Sequence, residues 1–74
     1  MTPNPAVQKI FNVLGKERGQ LLIEEIMREL GLPELETPNH RVRFGNRLIQ
    51  RGGLLESLGR AIKIQAILHG ATDE

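Results

Sequence analysis

Apolar residues recur at helical spacing in four segments of the chain. Spacings of three and four residues place apolar side chains on one face of a helix and polar side chains on the other. The pattern predicts four helices, near residues 5–15, 19–30, 38–51 and 54–68. We therefore predict an all-α fold, a compact four-helix domain that forms one unit over residues 1–74. Residues 1–4 and 70–74 are expected to be frayed ends.

Capping residues support several of the predicted helix boundaries. Asn4-Pro5 and Thr37-Pro38 each combine an N-cap residue with proline at the first helical position. Gly31 is expected to stop the second helix, and Gly52-Gly53 to end the third. The segment 15–19, Gly-Lys-Glu-Arg-Gly, lacks the pattern of a phosphate loop and indicates a polar turn between the first two helices.

The last segment admits two interpretations. As a helix, residues 54–68 have an unusually wide apolar face, which indicates broad burial or a face shared with a partner. The alternative is a winged helix in which residues 54–67 form a β-hairpin, because Ile62 and Ile64 alternate with polar neighbours. The helix is favoured, since a hairpin turn at Gly59 would leave Leu58 exposed and lacks preferred turn chemistry.

The predicted core draws apolar side chains from all four helices. Its members are Val7, Ile10, Phe11, Leu14, Leu22, Ile26, Leu30, Leu48, Ile49, Leu55, Leu58 and Ile62.

Composition narrows the class of protein. Hydrophobic residues make up 39% of the chain, which is too many for an intrinsically disordered sequence. The chain contains no cysteine, so neither disulfides nor thiolate metal ligands are available. No apolar run approaches a membrane span of about 20 residues, and the start does not match a signal peptide. We expect a cytoplasmic protein with no membrane association.

Catalytic and metal-binding patterns are weak. Ser57, His40 and His69 stand in no recognisable nucleophile motif, and the two histidines are too far apart in sequence for a ligand pair. The carboxylates that cluster in the second helix are typical of a solvated face. We expect no enzymatic activity, no catalytic residue, no metal site and no cofactor.

The net charge of +1 conceals an asymmetry. Residues 1–37 hold four Lys/Arg and six Asp/Glu, whereas residues 38–74 hold six and three, so the two halves carry −2 and +3. The positive charge concentrates in the third helix, where His40, Arg43, Arg47 and Arg51 fall within a sector of about 80°. Guanidinium groups suit phosphates, carboxylates and guanine edges. The stripe is also compatible with an ordinary polar helix face.

The predicted contact set for nucleic acid, or alternatively for an acidic protein partner, adds polar neighbours to these arginines. It comprises His40, Arg41, Arg43, Asn46, Arg47, Gln50 and Arg51.

The order of elements resembles a helix-turn-helix layout in outline. A helix ends in Arg28-Glu29-Leu30-Gly31-Leu32-Pro33, and an Arg-rich helix follows after a connection. The tract 48–56 is similar to the exit of a recognition helix into a wing. The connection is longer than the usual one, and Gly52-Gly53 adds an extra glycine, so the likeness is an analogy of pattern.

Two functions follow as expectations. The first is a small non-enzymatic binding protein, for example a regulator, that contacts DNA or RNA through the third helix and forms a homodimer. The second is a protein-interaction module, or a small subunit or adaptor, that uses the apolar last helix. Ile64, Ile67 and Leu68 are the predicted dimer or partner seam.

Overall fold

The computed structural model describes residues 4–71, and four α-helices occupy most of this range. The helices are α1, Pro5–Leu14; α2, Lys16–Leu30; α3, Pro38–Arg51; and α4, Gly53–Leu68. Within these described residues there is no strand, so the all-α prediction is confirmed and the hairpin over residues 54–67 is wrong. None of the four helices is long and apolar enough to cross a membrane.

Asn4 fixes the start of α1 and ties it to the rest of the fold. Its Oδ1 accepts hydrogen bonds from the backbone N–H groups of Ala6 and Val7, at 3.0 and 3.4 Å. Its Nδ2 donates to the carbonyl of Leu35 at 2.7 Å. The predicted cap is confirmed, but Asn4 is not a frayed residue because three hydrogen bonds of its side chain hold it. Residues 1–3 and 72–74 of the predicted frayed ends lie outside the described range.

The polar turn predicted over residues 15–19 is replaced by a single-residue junction. Gly15 alone separates α1 from α2, with a φ of 85° that favours glycine. Gly19 lies inside α2, where a Cβ atom would come within 2.7 Å of the ring of Phe11. Gly19 therefore allows α1 to pack closely on α2. Helix α2 begins at Lys16, three residues earlier than the apolar pattern predicted.

The connection between α2 and α3 is ordered by backbone hydrogen bonds and apolar anchors. Gly31 adopts the left-handed conformation and closes α2, and Leu32 N–H donates to Met27 C=O at 3.0 Å. Leu32 and Leu35 are both buried. The Thr37 hydroxyl accepts from the His40 N–H at 3.1 Å, which confirms the predicted cap of α3.

Helices α3 and α4 form the closest helix pair of the domain. Gly52 is their one-residue junction, and Gly45 and Gly59 lie seven residues before and after it. A Cβ atom on Gly59 would lie 2.5 Å from the carbonyl oxygen of Gly45, and one on Gly45 would lie 2.8 Å from that of Gly59. The two backbones therefore touch at this crossing, and glycine is required on both sides.

Within the described residues, the buried core shares five residues with the predicted core and adds seven others. Of the predicted core, Ile10, Ile26, Leu48, Leu58 and Ile62 are buried. The other members are only partly buried. The prediction missed several buried residues from all four helices and the connection: Ala6, Ile23, Leu32, Leu35, Val42, Phe44 and Ala66.

Candidate interaction surfaces

Two arginines of α3, Arg47 and Arg51, contact carboxylates of α2. The Arg47 Nε donates to Glu29 Oε1 at 2.7 Å, and its Nη1 donates to Gln50 Oε1 at 2.8 Å. The Arg51 Nη2 lies 2.6 Å from Glu29 Oε2 and 2.8 Å from Glu25 Oε2. The acidic face of α2, expected to be solvated, thus neutralises two of the predicted contact arginines.

This ion-pair network also changes the acidity of Glu29. The hydrogen bond from Arg47, with the charges of Arg47 and Arg51, lowers the pKa of the Glu29 carboxyl from its ordinary value. Glu29 therefore stays ionised in mildly acidic solution, and the network persists there. Because both arginines are partly exposed and solvent screens the charges, each surface pair contributes little to stability.

Arg41 and His40 do not belong to a free basic surface. Arg41 is buried, with 8% of its surface exposed, and its Nη1 donates to the carbonyl of Glu36 at 2.9 Å. This hydrogen bond ties the start of α3 to the connection that precedes it, so the role of Arg41 is structural. The Nδ1 of half-buried His40 is buried and has no hydrogen-bond partner within the described range.

Three of the predicted contact residues remain together on the outer side of α3. Arg43, Asn46 and Gln50 border a shallow concavity of about 350 Å³. Glu29, Leu30 and Arg47 complete its lining. Arg43 is exposed and makes no ion pair with another described residue. The basic surface that sequence analysis predicted is therefore reduced to Arg43 and two neutral polar side chains.

The predicted apolar seam on α4 is exposed to solvent. Leu68 exposes 79% of its surface and Ile64 60%, while Ile67 is the least exposed of the three. Leu54, at the opposite end of α4, exposes 62% and was not predicted. Leu54, Ile64 and Leu68 are three of the four large apolar side chains within residues 4–71 that expose more than half of their surface, and the fourth, Leu21, lies on α2.

A regular spacing connects most of these side chains along the helix. The positions Leu54, Ser57, Ala61, Ile64 and Leu68, hereafter the α4 stripe, are separated alternately by three and four residues. At 100° per residue they lie within a sector of about 80°, opposite much of the buried face of α4. Ile67 lies about 60° outside this sector. The 3-4 spacing, visible in the sequence, is the signal that would have identified Leu54.

A groove runs beside the N-terminal half of the α4 stripe. It has a volume of about 370 Å³ and lies between α1 and α4. The wall from α1 is formed by Lys9, Asn12 and Val13, and the wall from α4 by Leu54, Ser57, Leu58 and Ala61. Val13 is about half exposed. The groove is therefore largely apolar, with one cationic side chain on its rim.

Within residues 4–71, no three His, Asp or Glu side chains are placed close enough together to hold a metal ion.

Comparison of the chain with protein-family models, with curated proteins and with solved structures gives no match. The class of protein is therefore argued from the surfaces alone: a small all-helical domain with an exposed apolar helix face.

Proposed function

We propose that this chain is a small non-enzymatic binding domain that docks a protein partner on the α4 stripe and the adjoining groove. One observation carries the proposal: Leu54, Ile64 and Leu68 each expose more than half of their surface along one face of one helix. Single exposed apolar residues are ordinary, whereas an aligned set is typical of an interaction surface.

Covering these exposed side chains with a partner gains free energy. Complete burial of one exposed aliphatic side chain is worth about 1.5–3 kcal/mol. Three side chains at this exposure give a gross gain on the order of 3–6 kcal/mol before the entropy cost of association. The arginines of α3 offer less, because Arg47 and Arg51 already bind carboxylates of α2.

Site-specific photo-crosslinking in cells tests this proposal. A benzophenone side chain at Ile64 is expected to give discrete covalent adducts with protein. The matched control position is Leu21, which is 69% exposed but lies on α2. The absence of discrete adducts at position 64, or the same adducts at both positions, would contradict the proposal.

The second candidate function is nucleic-acid binding by the outer side of α3, with the helix-turn-helix-like relation of α2 and α3. The exposed and unpaired Arg43 favours it, together with the neighbouring Asn46 and Gln50. Arginine binds phosphate oxygens and guanine edges, and the two amides suit adenine or phosphate. In this proposal the contact set contracts from seven residues to these three.

The dependence of affinity on salt concentration tests nucleic-acid binding by α3. If α3 binds DNA, the affinity falls with ionic strength, and Arg43→Ala reduces the magnitude of the salt slope by about one. Arg18→Ala, an exposed cation on α2, is the control and leaves the slope unchanged. The measurement is fluorescence anisotropy with duplex DNA over a salt series. Lack of binding to duplex or single-stranded nucleic acid at low ionic strength would eliminate this candidate.

A further inference from the structure

A lysine on the rim of the α1/α4 groove has no partner within residues 4–71. Lys9 is half-buried on α1 and lines the groove, and it forms no hydrogen bond or ion pair with another described residue. A half-buried lysine lays its aliphatic stem along apolar surface and holds its ammonium group at the edge of that surface. A carboxylate brought to this edge would accept a charge-assisted hydrogen bond from the ammonium group.

The other polar side chains of the groove also offer hydrogen-bond donors. Asn12 Oδ1 accepts from Gln8 Nε2 at 3.0 Å, so the Nδ2 group of Asn12 remains as a donor. The hydroxyl of Ser57, on the opposite wall, can donate as well. No Asp or Glu is among the described residues that line the groove. Its chemistry therefore matches a ligand that presents carboxylates beside apolar groups.

The two helices that border the groove carry an excess of positive charge. Helices α1 and α4 together contain one carboxylate and three cations, a net charge of +2: Glu56, Lys9, Arg60 and Lys63. The Glu56 carboxylate already accepts from Arg60 Nη2 at 2.7 Å, and it lies about 140° around α4 from Ala61 of the groove. This surface therefore attracts a partner with an excess of negative charge.

The length of the α4 stripe requires an elongated partner. Fourteen residues separate Leu54 from Leu68, which corresponds to about 21 Å along the helix. The groove borders only the N-terminal half of this length, and Ile64 and Leu68 lie beyond its lining. A small molecule in the groove would leave Ile64 and Leu68 exposed, at 60% and 79%. The occupant that covers the whole stripe is therefore a segment of polypeptide.

A helix is the conformation that this segment requires. An added β-strand needs the edge of a sheet, and residues 4–71 contain no strand. A polyproline segment needs a groove lined by aromatic side chains, and no described aromatic residue lines this one. A helix satisfies its own backbone hydrogen bonds. The alternating intervals of three and four residues in the stripe also suit the apolar side chains of a facing helix.

We infer that the partner docked on the α4 stripe is an acidic amphipathic helix, whose apolar residues cover the stripe and whose carboxylates contact Lys9 and Asn12 on the groove rim. The inference rests on the proposed function and specifies the chemistry of its partner.

A matched pair of labelled peptides tests the chemistry of the partner. Each has about 18 residues, or five helical turns, with leucine at the a and d positions. One peptide carries glutamate on its polar face, and the other carries lysine at the same positions. Fluorescence anisotropy with the full chain is expected to show binding of the acidic peptide at least about 10-fold tighter than that of the basic peptide. Equal affinities, tighter binding of the basic peptide, or no binding of either up to about 1 mM would overturn the inference.

Three variants of the chain locate the contact. Lys9→Glu is expected to weaken binding of the acidic peptide by more than about 5-fold, and Ile64→Asp by more than about 10-fold. The control Arg18→Glu makes the same change in net charge at an exposed position of α2, and it weakens binding by less than about 2-fold. Equal effects of Lys9→Glu and Arg18→Glu would overturn the contact at the groove rim. Circular dichroism confirms that the variants remain helical.

Other occupants of the α4 stripe give different results. Phosphatidylglycerol vesicles share the negative charge of the acidic peptide; binding to them that Ile64→Asp abolishes, without a preference between the peptides, would overturn the inference in favour of a membrane surface. A second copy of the chain would bring its own Arg60 and Lys63 toward a basic surface. A dimer in sedimentation velocity that Ile64→Asp dissociates would overturn the inference in favour of self-association.

Photo-crosslinking from position 64 separates this inference from the proposed function. Discrete protein adducts in cells, together with equal affinities for the two peptides, would overturn the acidic helix and leave the proposed function standing. The absence of adducts, together with no binding of either peptide, would overturn both.

Discussion

Replacement of Gly59 by alanine is expected to lower the free energy of unfolding by about 3 kcal/mol, the upper range for overpacking. The added methyl group would lie 2.5 Å from the Gly45 carbonyl oxygen, 2.8 Å from the Cβ of Leu48 and 2.9 Å from the Ile49 nitrogen. Two of these three atoms belong to the backbone and cannot rotate away. Helices α3 and α4 would have to separate, although alanine itself favours a helix by about 1 kcal/mol.

Chemical denaturation of three glycine variants checks this prediction. Gly45→Ala is expected to destabilise as well, since its methyl group meets the Gly59 carbonyl oxygen at 2.8 Å. Gly19→Ala is the control, because its methyl group meets the ring of Phe11, a partly exposed side chain that can move. We expect a loss of less than about 1 kcal/mol for this variant, after the gain in helix propensity. Equal stability of Gly59→Ala and the unmodified chain would contradict the close helix crossing.

Phe44→Ala is expected to cost about 3–5 kcal/mol. Phe44 is the largest fully buried side chain of the described core, and truncation removes its contacts and leaves a cavity. A domain of this size has a total stability on the order of 4–11 kcal/mol. The variant is therefore expected to be largely unfolded at moderate temperature.

Thermal unfolding followed by circular dichroism measures this effect. For a domain of this length, about 1 kcal/mol corresponds to 4–8 °C in Tm, so the expected decrease is at least about 12 °C. Leu21→Ala is the matched control, since this large apolar residue is 69% exposed, lies on α2 outside the α4 stripe and changes Tm by no more than about 4 °C. Similar decreases in Tm for both variants would contradict a central role of Phe44 in core packing.

Capping residues and helical spacing in the sequence predicted the four helices and most of their ends. Asn4, Thr37 and Gly31 cap their helices as expected, because capping depends on hydrogen bonds within a few residues. The start of α2 was missed, since a single glycine with positive φ joins two helices without the polar turn that the sequence indicated.

The tertiary partners were harder to predict. The pairing of Arg47 and Arg51 with Glu29 depends on how α2 lies against α3, which helix periodicity does not specify. Phe44 was missed because it lies among arginines in the sequence, although it is fully buried in the core cluster. A local sign of the tight crossing was nevertheless present: Gly45 and Gly59 are equally distant from Gly52, as two facing residues of a helical hairpin must be.

The exposed apolar face of α4 is the central feature of this account. Its sequence signal was ambiguous, because a wide apolar face is compatible with a central core helix as well as with an interface. The structure buries Leu58, Ile62 and Ala66 and leaves Leu54, Ile64 and Leu68 exposed. The surplus of apolar residues in the last segment therefore lies on the side that faces away from the core.

The most direct measurement is crosslinking from Ser57, an exposed neutral position of the α4 stripe, in chains that carry a second substitution. With a photo-reactive side chain at position 57, we expect discrete protein adducts that disappear with Ile64→Asp and persist with Leu21→Asp. Helical content in both chains is monitored by circular dichroism. Adducts that survive Ile64→Asp unchanged, or that fail to form in the chain without a second substitution, would contradict a binding role for the α4 stripe.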